Sequence, residues 1–217
     1  MVQLFIYSED KRKTILFIHG FGKKYDDWNV GVTHNNIVKD LRIEENLRKT
    51  HNTVLVQIEE NDYKQSFESV IAQIYVEISK LLTTKLTIVA HSYGCLYAMS
   101  FAEIYNLGSL LLIEPVIKSL EFLAELKLRA INKDEDSVEH HKLVNFDILP
   151  TGSGIRNNII MRIHVNSECE VRNLEKLDSL TNKNIKSRLI VHYKASHMIH
   201  YKLPHMILDS IKELSGM

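Results

Sequence analysis

The chain has 217 residues, enough for one domain with a sizeable core, and its 45% hydrophobic and 25% charged residues are typical of soluble globular proteins. Its 27 basic and 27 acidic side chains cancel, so no positive excess favours nucleic acid or an anionic membrane surface as a partner. The N-terminal stretch has neither a basic start nor a cleavage site, and no apolar run approaches the length of a membrane span. The composition therefore predicts a single-domain cytoplasmic protein whose partners are small molecules.

The predicted strands and helices alternate along almost the whole chain. Apolar runs, several of them rich in β-branched residues, predict strands over residues 2–7, 14–19, 53–58, 86–90, 110–113, 159–165 and 188–193. Apolar residues at helical spacing predict helices over residues 35–49, 66–81, 95–102, 116–131, 171–180 and 203–214. This alternation predicts an α/β fold, a three-layer α/β/α sandwich with a mainly parallel sheet of about seven strands. Chemistry in such folds gathers at the carboxyl ends of the strands.

A serine lies between the predicted strand over residues 86–90 and the helix that follows it. Ser92, with Gly94 two places on, indicates a tight turn that pushes the hydroxyl out above the edge of the sheet. The sequence of residues 90–94, Ala-His-Ser-Tyr-Gly, resembles the nucleophile elbow G-x-S-x-G of the α/β-hydrolase family, with Ala90 in place of the first glycine. The alternative interpretation is a serine that merely caps an ordinary helix.

A serine hydroxyl is a poor nucleophile at neutral pH, so a base must take its proton. His197 follows the last predicted strand by a few residues and precedes the closing helix. This position matches the family's chain order of nucleophile, acid and histidine, and the resemblance therefore implies that His197 is the base. His200 and His205 lie nearby in the sequence, but they fall toward or within the closing helix.

Three glutamates are candidates for the acid that orients the base. In the family the acid normally follows the strand that here covers residues 159–165, and Glu168 fits that position. Glu170 is the neighbour that could replace it, and Glu114 is a third choice because some relatives place the acid after the strand that follows the elbow. A glutamate suffices in each case, since the acid only accepts the ring N–H of the histidine and stabilises the imidazolium.

His19-Gly20-Phe21-Gly22 resembles the family's oxyanion loop. The resemblance implies that the backbone N–H groups of Phe21 and Tyr93 stabilise the charge that develops on the substrate oxygen. These glycines lack the third glycine and the context of a dinucleotide fingerprint, so no cofactor is expected. A metal site formed by His197, His200 and His205 lacks a clear ligand geometry, and no metal is expected there.

Residues 116–158 take the place where the family inserts its variable lid. The apolar stripe of the predicted helix within this insertion includes Leu120 and Leu123, which could cover the pocket and bind substrate. The same stripe would serve equally well to pack on the sheet. A short insertion of this kind favours a small or slender acyl group, or an open cleft.

Together these features predict a serine hydrolase that cleaves a carboxylic ester or thioester through an acyl-enzyme intermediate on Ser92. The elbow serine excludes the branches of the family that use an aspartate or a cysteine there, but it fits esterase, thioesterase, peptidase and carbon-carbon hydrolase chemistry alike. The rival hypothesis is a hydrolase-like binding protein that holds a ligand or partner in the pocket without turnover, because a fold does not fix a function.

Overall fold

A computed structural model describes residues 2–7, 13–20, 23–29, 32–34, 37–39, 42–59, 62, 65–81, 86–105, 107–115, 154–167, 171–193, 195 and 198–216. Its strands are β1 (Gln3–Tyr7), β2 (Thr14–Ile18), β3 (Val32–His34), β4 (Ile37–Lys39), β5 (Asn52–Gln57), β6 (Leu86–His91), β7 (Ser109–Ile113), β8 (Ile160–Asn166) and β9 (Arg188–His192). Its α-helices are α1 (Ile43–Leu47), α2 (Phe67–Ile78), α3 (Gly94–Ile104), α4 (Val171–Thr181), α5 (Ile199–Lys202) and α6 (Pro204–Ser215), and 3-10 helices cover Tyr25–Asn29 and Ser79–Leu81.

A seven-stranded sheet in the order β1-β5-β2-β6-β7-β8-β9 forms the centre of the molecule. The edge strand β1 runs antiparallel to β5, and every other neighbouring pair in this sheet is parallel. The predicted α/β fold with a mainly parallel sheet of about seven strands is therefore confirmed. Among the described residues, no helix combines the length and the apolar character needed to cross a membrane.

The middle strands are buried on both faces because helices cover both sides of the sheet. Successive side chains of β2 alternate between two apolar clusters: Leu16 and Ile18 pack with α2 and α3, whereas Ile15 and Phe17 pack with residues of α6. Ser66 caps α2 by accepting the N–H of Ser69 at 3.2 Å, at the residue where the sequence predicts that this helix begins. The three layers bring the carboxyl ends of the parallel strands to one edge.

The predicted helix over residues 35–49 is wrong in its first half. Residues Ile37–Lys39 form β4, which pairs antiparallel with β3 as a separate two-stranded sheet, and α1 begins only at Ile43. Ile37 and Val38 are β-branched residues that favour strands, and pairing with β3 gives their backbone groups partners outside a helix. Near-helical spacing of a few apolar residues therefore did not decide the structure of this segment.

Candidate active site

Ser92 occupies a sharp turn between β6 and α3. Its φ is +51°, in the left-handed region that residues other than glycine rarely adopt, and its side chain is partly exposed between two buried neighbours. The Ser92 backbone N–H donates to the carbonyl of Ile113 at 2.8 Å, which ties the turn to the end of β7. The turn therefore holds the Ser92 hydroxyl at the carboxyl edge of the sheet.

Gly94 allows this turn to lie directly against the end of β2. A Cβ atom at position 94 would lie 2.8 Å from the carbonyl oxygen of Ile18 and closer still to that of His19. Both obstacles are backbone atoms, in the last residue of β2 and in the residue after it, so neither can move aside cheaply. The glycine of the elbow pattern is thus required by packing, and it fixes α3 close to the sheet.

The residue that follows β2 and His19 lies against the elbow. A Cβ atom added to Gly20 would lie 3.2 Å from the Cβ of Ser92 and 3.1 Å from Nδ1 of His91. The start of the predicted oxyanion loop therefore contacts the turn that carries the serine. Phe21, one of the two predicted oxyanion donors, lies outside the described residues, whereas Tyr93 is the N-cap residue of α3.

The side chain of His19 holds the beginning of the predicted oxyanion loop by hydrogen bonds. The N–H of Ile58 donates to Nε2 of His19 at 3.1 Å, so the ring proton is on Nδ1, which donates to the carbonyl of Gly20 at 2.7 Å. Burial lowers the pKa of His19 below its usual value, and this effect outweighs the hydrogen bond to Gly20 and the nearby carboxylates. A neutral imidazole with both nitrogens bonded thus holds Gly20 in place.

Glu114 is the one of the three candidate acids that lies within the described residues. It follows β7, the strand beside the elbow strand; its side chain is buried and its φ is +48°. The Glu114 backbone N–H donates to the carbonyl of His164 at 2.8 Å, and its carboxylate accepts the backbone N–H of Asn166. Glu168 and Glu170 lie outside the described residues.

His197 lies outside the described residues, but the helix that follows it contacts the elbow. The ring of His200 in α5 packs against the ring of His91 with centroids 4.4 Å apart, and His91 is the residue immediately before Ser92. His200 is buried, whereas His205 is exposed on α6. His200, three residues after the predicted base His197, therefore contacts His91, the residue before the predicted nucleophile Ser92.

His200 and His91 belong to a buried group with Asp27, here called the elbow cluster. The Nε2 atom of His200 lies 3.4 Å from Oδ2 of Asp27, and the hydroxyl of Tyr201 donates to Oδ1 of the same carboxylate. The ring of Trp28 packs on that of His200 with centroids 5.1 Å apart. Sequence analysis missed Asp27, because nothing in its local spacing relates it to histidines far along the chain.

A second buried group, here called the outer cluster, lies between β8, β9 and α6. Nδ1 of His164 and Nε2 of His192 share a hydrogen bond of 2.8 Å, and Nε2 of His164 is 2.9 Å from Oγ of Ser210. Burial, reinforced by His192 and Arg162, lowers the pKa of His164 to about 3. Burial also lowers the pKa of His192, against the attraction of Glu114. Both rings are therefore neutral at physiological pH.

Aromatic side chains support the elbow from the α2 side. The Phe67 ring lies 4.8 Å from that of Tyr97 and 6.2 Å from that of Tyr93, measured between centroids. All three side chains are buried, so the first turn of α3 is held by apolar packing. Leu120 and Leu123, the predicted substrate-binding residues, lie outside the described residues, as do all residues of the predicted 116–158 insertion up to residue 153.

Comparison with known proteins identifies the fold. No protein-family model and no curated protein sequence matches the chain. Among solved structures, an enol-lactonase from Burkholderia xenovorans LB400 superimposes with a TM-score of 0.71 at 10% identity, covering 98% of this chain and 95% of that one. A carboxylesterase structure from Nitrososphaera gargenis gives 0.70 at 14% identity, covering 98% and 93%. An alpha/beta hydrolase fold protein from Burkholderia ambifaria gives 0.70 at 11% identity, with the same coverage.

Proposed function

The chain has the α/β-hydrolase fold, and we propose that it is a serine hydrolase that cleaves a carboxylic ester or thioester through an acyl-enzyme intermediate on Ser92. The observation that carries this proposal is the left-handed turn, which presents a partly exposed hydroxyl at the carboxyl edge of the sheet. Backbone conformations of this kind cost energy, and they cluster at active sites and ligand-binding segments.

The helix-capping interpretation of Ser92 fits this geometry poorly. A capping serine adopts an extended backbone and accepts an N–H from the first turn of the helix. Here Ser92 has a positive φ, and the N-cap residue of α3 is Tyr93, whose side chain makes no capping hydrogen bond. A nucleophile accounts for both the position of Ser92 and its strain.

The reaction runs in two halves. Oγ of Ser92 attacks the carbonyl carbon while His197 takes its proton, and His197 then protonates the departing alcohol or thiol. In the second half, His197 takes a proton from water, the water oxygen attacks the acyl carbon, and the Ser92 oxygen leaves with the proton returned from His197. The contact between His91 and His200 supports this assignment, because it holds chain next to His197 against the elbow.

The backbone N–H groups of Phe21 and Tyr93 would stabilise the negative oxygen of each tetrahedral intermediate. The close approach of Gly20 to Ser92 supports the first donor, because Phe21 follows Gly20 directly. Tyr93 lies at the N-terminus of α3, where the helix dipole also favours negative charge.

Glu168 would orient His197, with Glu170 and Glu114 as alternatives. Glu114 is buried at the end of the strand beside the elbow strand, and this position supports it as a candidate for the orienting acid. Alanine variants of the three glutamates separate the assignments: the orienting acid is the one whose loss lowers turnover by orders of magnitude. Near-normal turnover in Glu168→Ala together with loss in either alternative would reassign the role.

The substrate class is consistent with the solved structures that share the fold, which include an enol-lactonase and a carboxylesterase. Leu120 and Leu123 of the predicted lid would contact the acyl chain. Hydrolysis of p-nitrophenyl esters of increasing acyl length measures the size of that pocket directly. A steep decline beyond short acyl groups is expected from the short insertion, whereas undiminished turnover of long chains would contradict it.

A fluorophosphonate probe tests the proposal, because it reacts with an activated serine hydroxyl. The folded protein is expected to be labelled. The rate of labelling is expected to fall more than a hundredfold in Ser92→Ala. Ser79→Ala is the matched control, since Ser79 is an exposed serine on the surface and should leave labelling unchanged. A folded wild-type protein that resists labelling and hydrolyses none of the esters would instead favour the ligand-binding hypothesis.

A further inference from the structure

The elbow cluster has the composition of a metal site. Asp27, His91 and His200 each offer one ligand atom, these atoms all lie within 4.8 Å of one another, and all three residues are buried. They come from the 3-10 helix Tyr25–Asn29, the end of β6 and helix α5. We propose that these three side chains bind a divalent transition-metal ion of the zinc type, at a site next to the elbow but separate from the hydroxyl of Ser92.

The spacing of the ligand atoms suits such an ion. Zinc bonds of about 2.0–2.1 Å in tetrahedral geometry place neighbouring ligand atoms about 3.4 Å apart. The Oδ2 atom of Asp27 and the Nε2 atom of His200 are already 3.4 Å apart. The His91 nitrogen, at most 4.8 Å from the other two ligand atoms, completes the set after a shift on the order of an ångström.

The surroundings of Asp27 prepare its carboxylate for an ion. Tyr201 donates its hydroxyl to Oδ1, which fixes the carboxylate plane and leaves Oδ2 directed at His200. Partners of this kind orient the ligands in metal sites. The Trp28 ring also packs against the His200 imidazole and restricts its rotation. The ligands are therefore held by packing and not only by each other.

Charge and donor type both favour a cation of this class. Asp27 is a buried carboxylate, and a divalent ion between it and the two imidazoles would add positive charge to the hydrogen bonds that it already makes. Two nitrogens and one oxygen suit zinc and its neighbours in the transition series, whereas calcium and magnesium prefer oxygen ligands.

The bound ion would have a structural role. It would join the residue before Ser92 to α5 and to the 3-10 helix after β2, segments that are far apart in the sequence. This role does not require the hydrolytic activity, so the site stands or falls on metal binding alone.

The test uses the full-length protein, stripped of metal by a chelator and titrated with Zn²⁺ by calorimetry and with Co²⁺ by visible absorption. One equivalent should bind, with the intense Co²⁺ bands of a tetrahedral site. Asp27→Asn and His200→Ala should each weaken binding at least a hundredfold, and His205→Gln, which changes an exposed histidine, should not. At free Zn²⁺ a hundred times its Kd, the wild-type Tm should rise by about 5–10 °C.

Two results would overturn the proposal: wild-type protein that binds no equivalent of either ion, or binding that survives in both ligand variants. If a variant does not fold, X-ray absorption of the zinc-loaded wild type decides, with two imidazoles and one carboxylate expected and any other ligand set contradicting the assignment. Because these measurements follow the ion, and fluorophosphonate labelling follows Ser92, the metal site and the hydrolase can fail separately.

Discussion

The two buried histidine clusters differ in what accompanies the imidazoles. In the outer cluster, His164 is bonded to another histidine and to Ser210, so the described contacts of its ring are with neutral groups. In the elbow cluster, His200 faces the carboxylate of Asp27. Buried histidines in the two clusters thus have different surroundings: neutral rings crosslink β8, β9 and α6, whereas the rings beside the elbow lie around a carboxylate.

The two regions also differ in how they hold their shape. The elbow depends on backbone contacts, with Gly94 against β2 and Gly20 against Ser92. The outer cluster depends on hydrogen bonds between side chains, which respond to pH. A change that adds one methyl group should therefore damage the first region most, and a change in proton concentration the second.

The largest effect is expected from Gly94→Ala. The added methyl group would meet the backbone carbonyls of Ile18 and His19, so the variant should lose about 3 kcal/mol of unfolding free energy and most of its fluorophosphonate labelling. Denaturant unfolding measures the first quantity. Gly154→Ala is the control, because its methyl group would meet side-chain rather than backbone atoms, with Cγ of Glu103 nearest at 3.2 Å, and should cost less. Equal losses in both variants would contradict the comparison.

A smaller effect is expected from acid. The pKa of His164 is about 3 in the folded protein and near 6.5 when unfolded, so the unfolded chain binds more protons between these values. The stabilising contribution of the neutral ring is complete above pH 6.5 and falls by about 2 kcal/mol between pH 6.5 and 5. His192, whose pKa is also lowered, changes in the same direction. Urea midpoints across this range measure the loss.

The control for the acid experiment is again a pair of variants. His164→Gln should flatten the pH dependence of the free energy of unfolding, because the titrating ring is gone, whereas His205→Gln should preserve it because His205 is exposed. An unchanged slope in His164→Gln would mean that other groups govern acid unfolding.

The smallest effect is expected from Ser210→Ala. This variant leaves Nε2 of His164 buried without its hydroxyl partner, at a cost of about 1 kcal/mol. Ser215→Ala is the matched control on the same helix, since the Ser215 hydroxyl donates to the helix carbonyl of Lys212 and lies partly in solvent. Thermal unfolding of the two variants should differ by a few degrees, and identical values would show that the outer cluster contributes nothing.

The sequence predicted the layered fold and its strands because buried parallel strands have a strong local signal. Thr14–Ile18 and Leu86–His91, for example, are apolar runs bounded by turn residues, and both are fully buried neighbours in the sheet. The sequence could single out Ser92 as the candidate nucleophile because the glycine and the strand and helix that form the pattern lie within a few residues of it. The helix prediction for the segment around Ile37 was wrong because the apolar spacing of a three-residue strand can match that of a helix.

The histidine clusters could not be predicted in this way. Asp27 and His200 are separated by 173 positions, and His164 and Ser210 by 46. Their association depends on the order of strands in the sheet and on the docking of the last two helices, neither of which leaves a local pattern. Sequence reasoning grouped His200 with His205, but burial separates these two: one is inside and the other is on the surface.

The backbone conformation at residue 92 has a practical consequence for work with intact substrates. Glycine adopts a φ of +51° without crowding, whereas alanine retains the steric conflict of serine. A variant without the Ser92 hydroxyl should accordingly tolerate heat better when it is made as Ser92→Gly than as Ser92→Ala. For the ester hydrolysis proposed above, the glycine form is the better choice for trapping an uncleaved substrate in crystals.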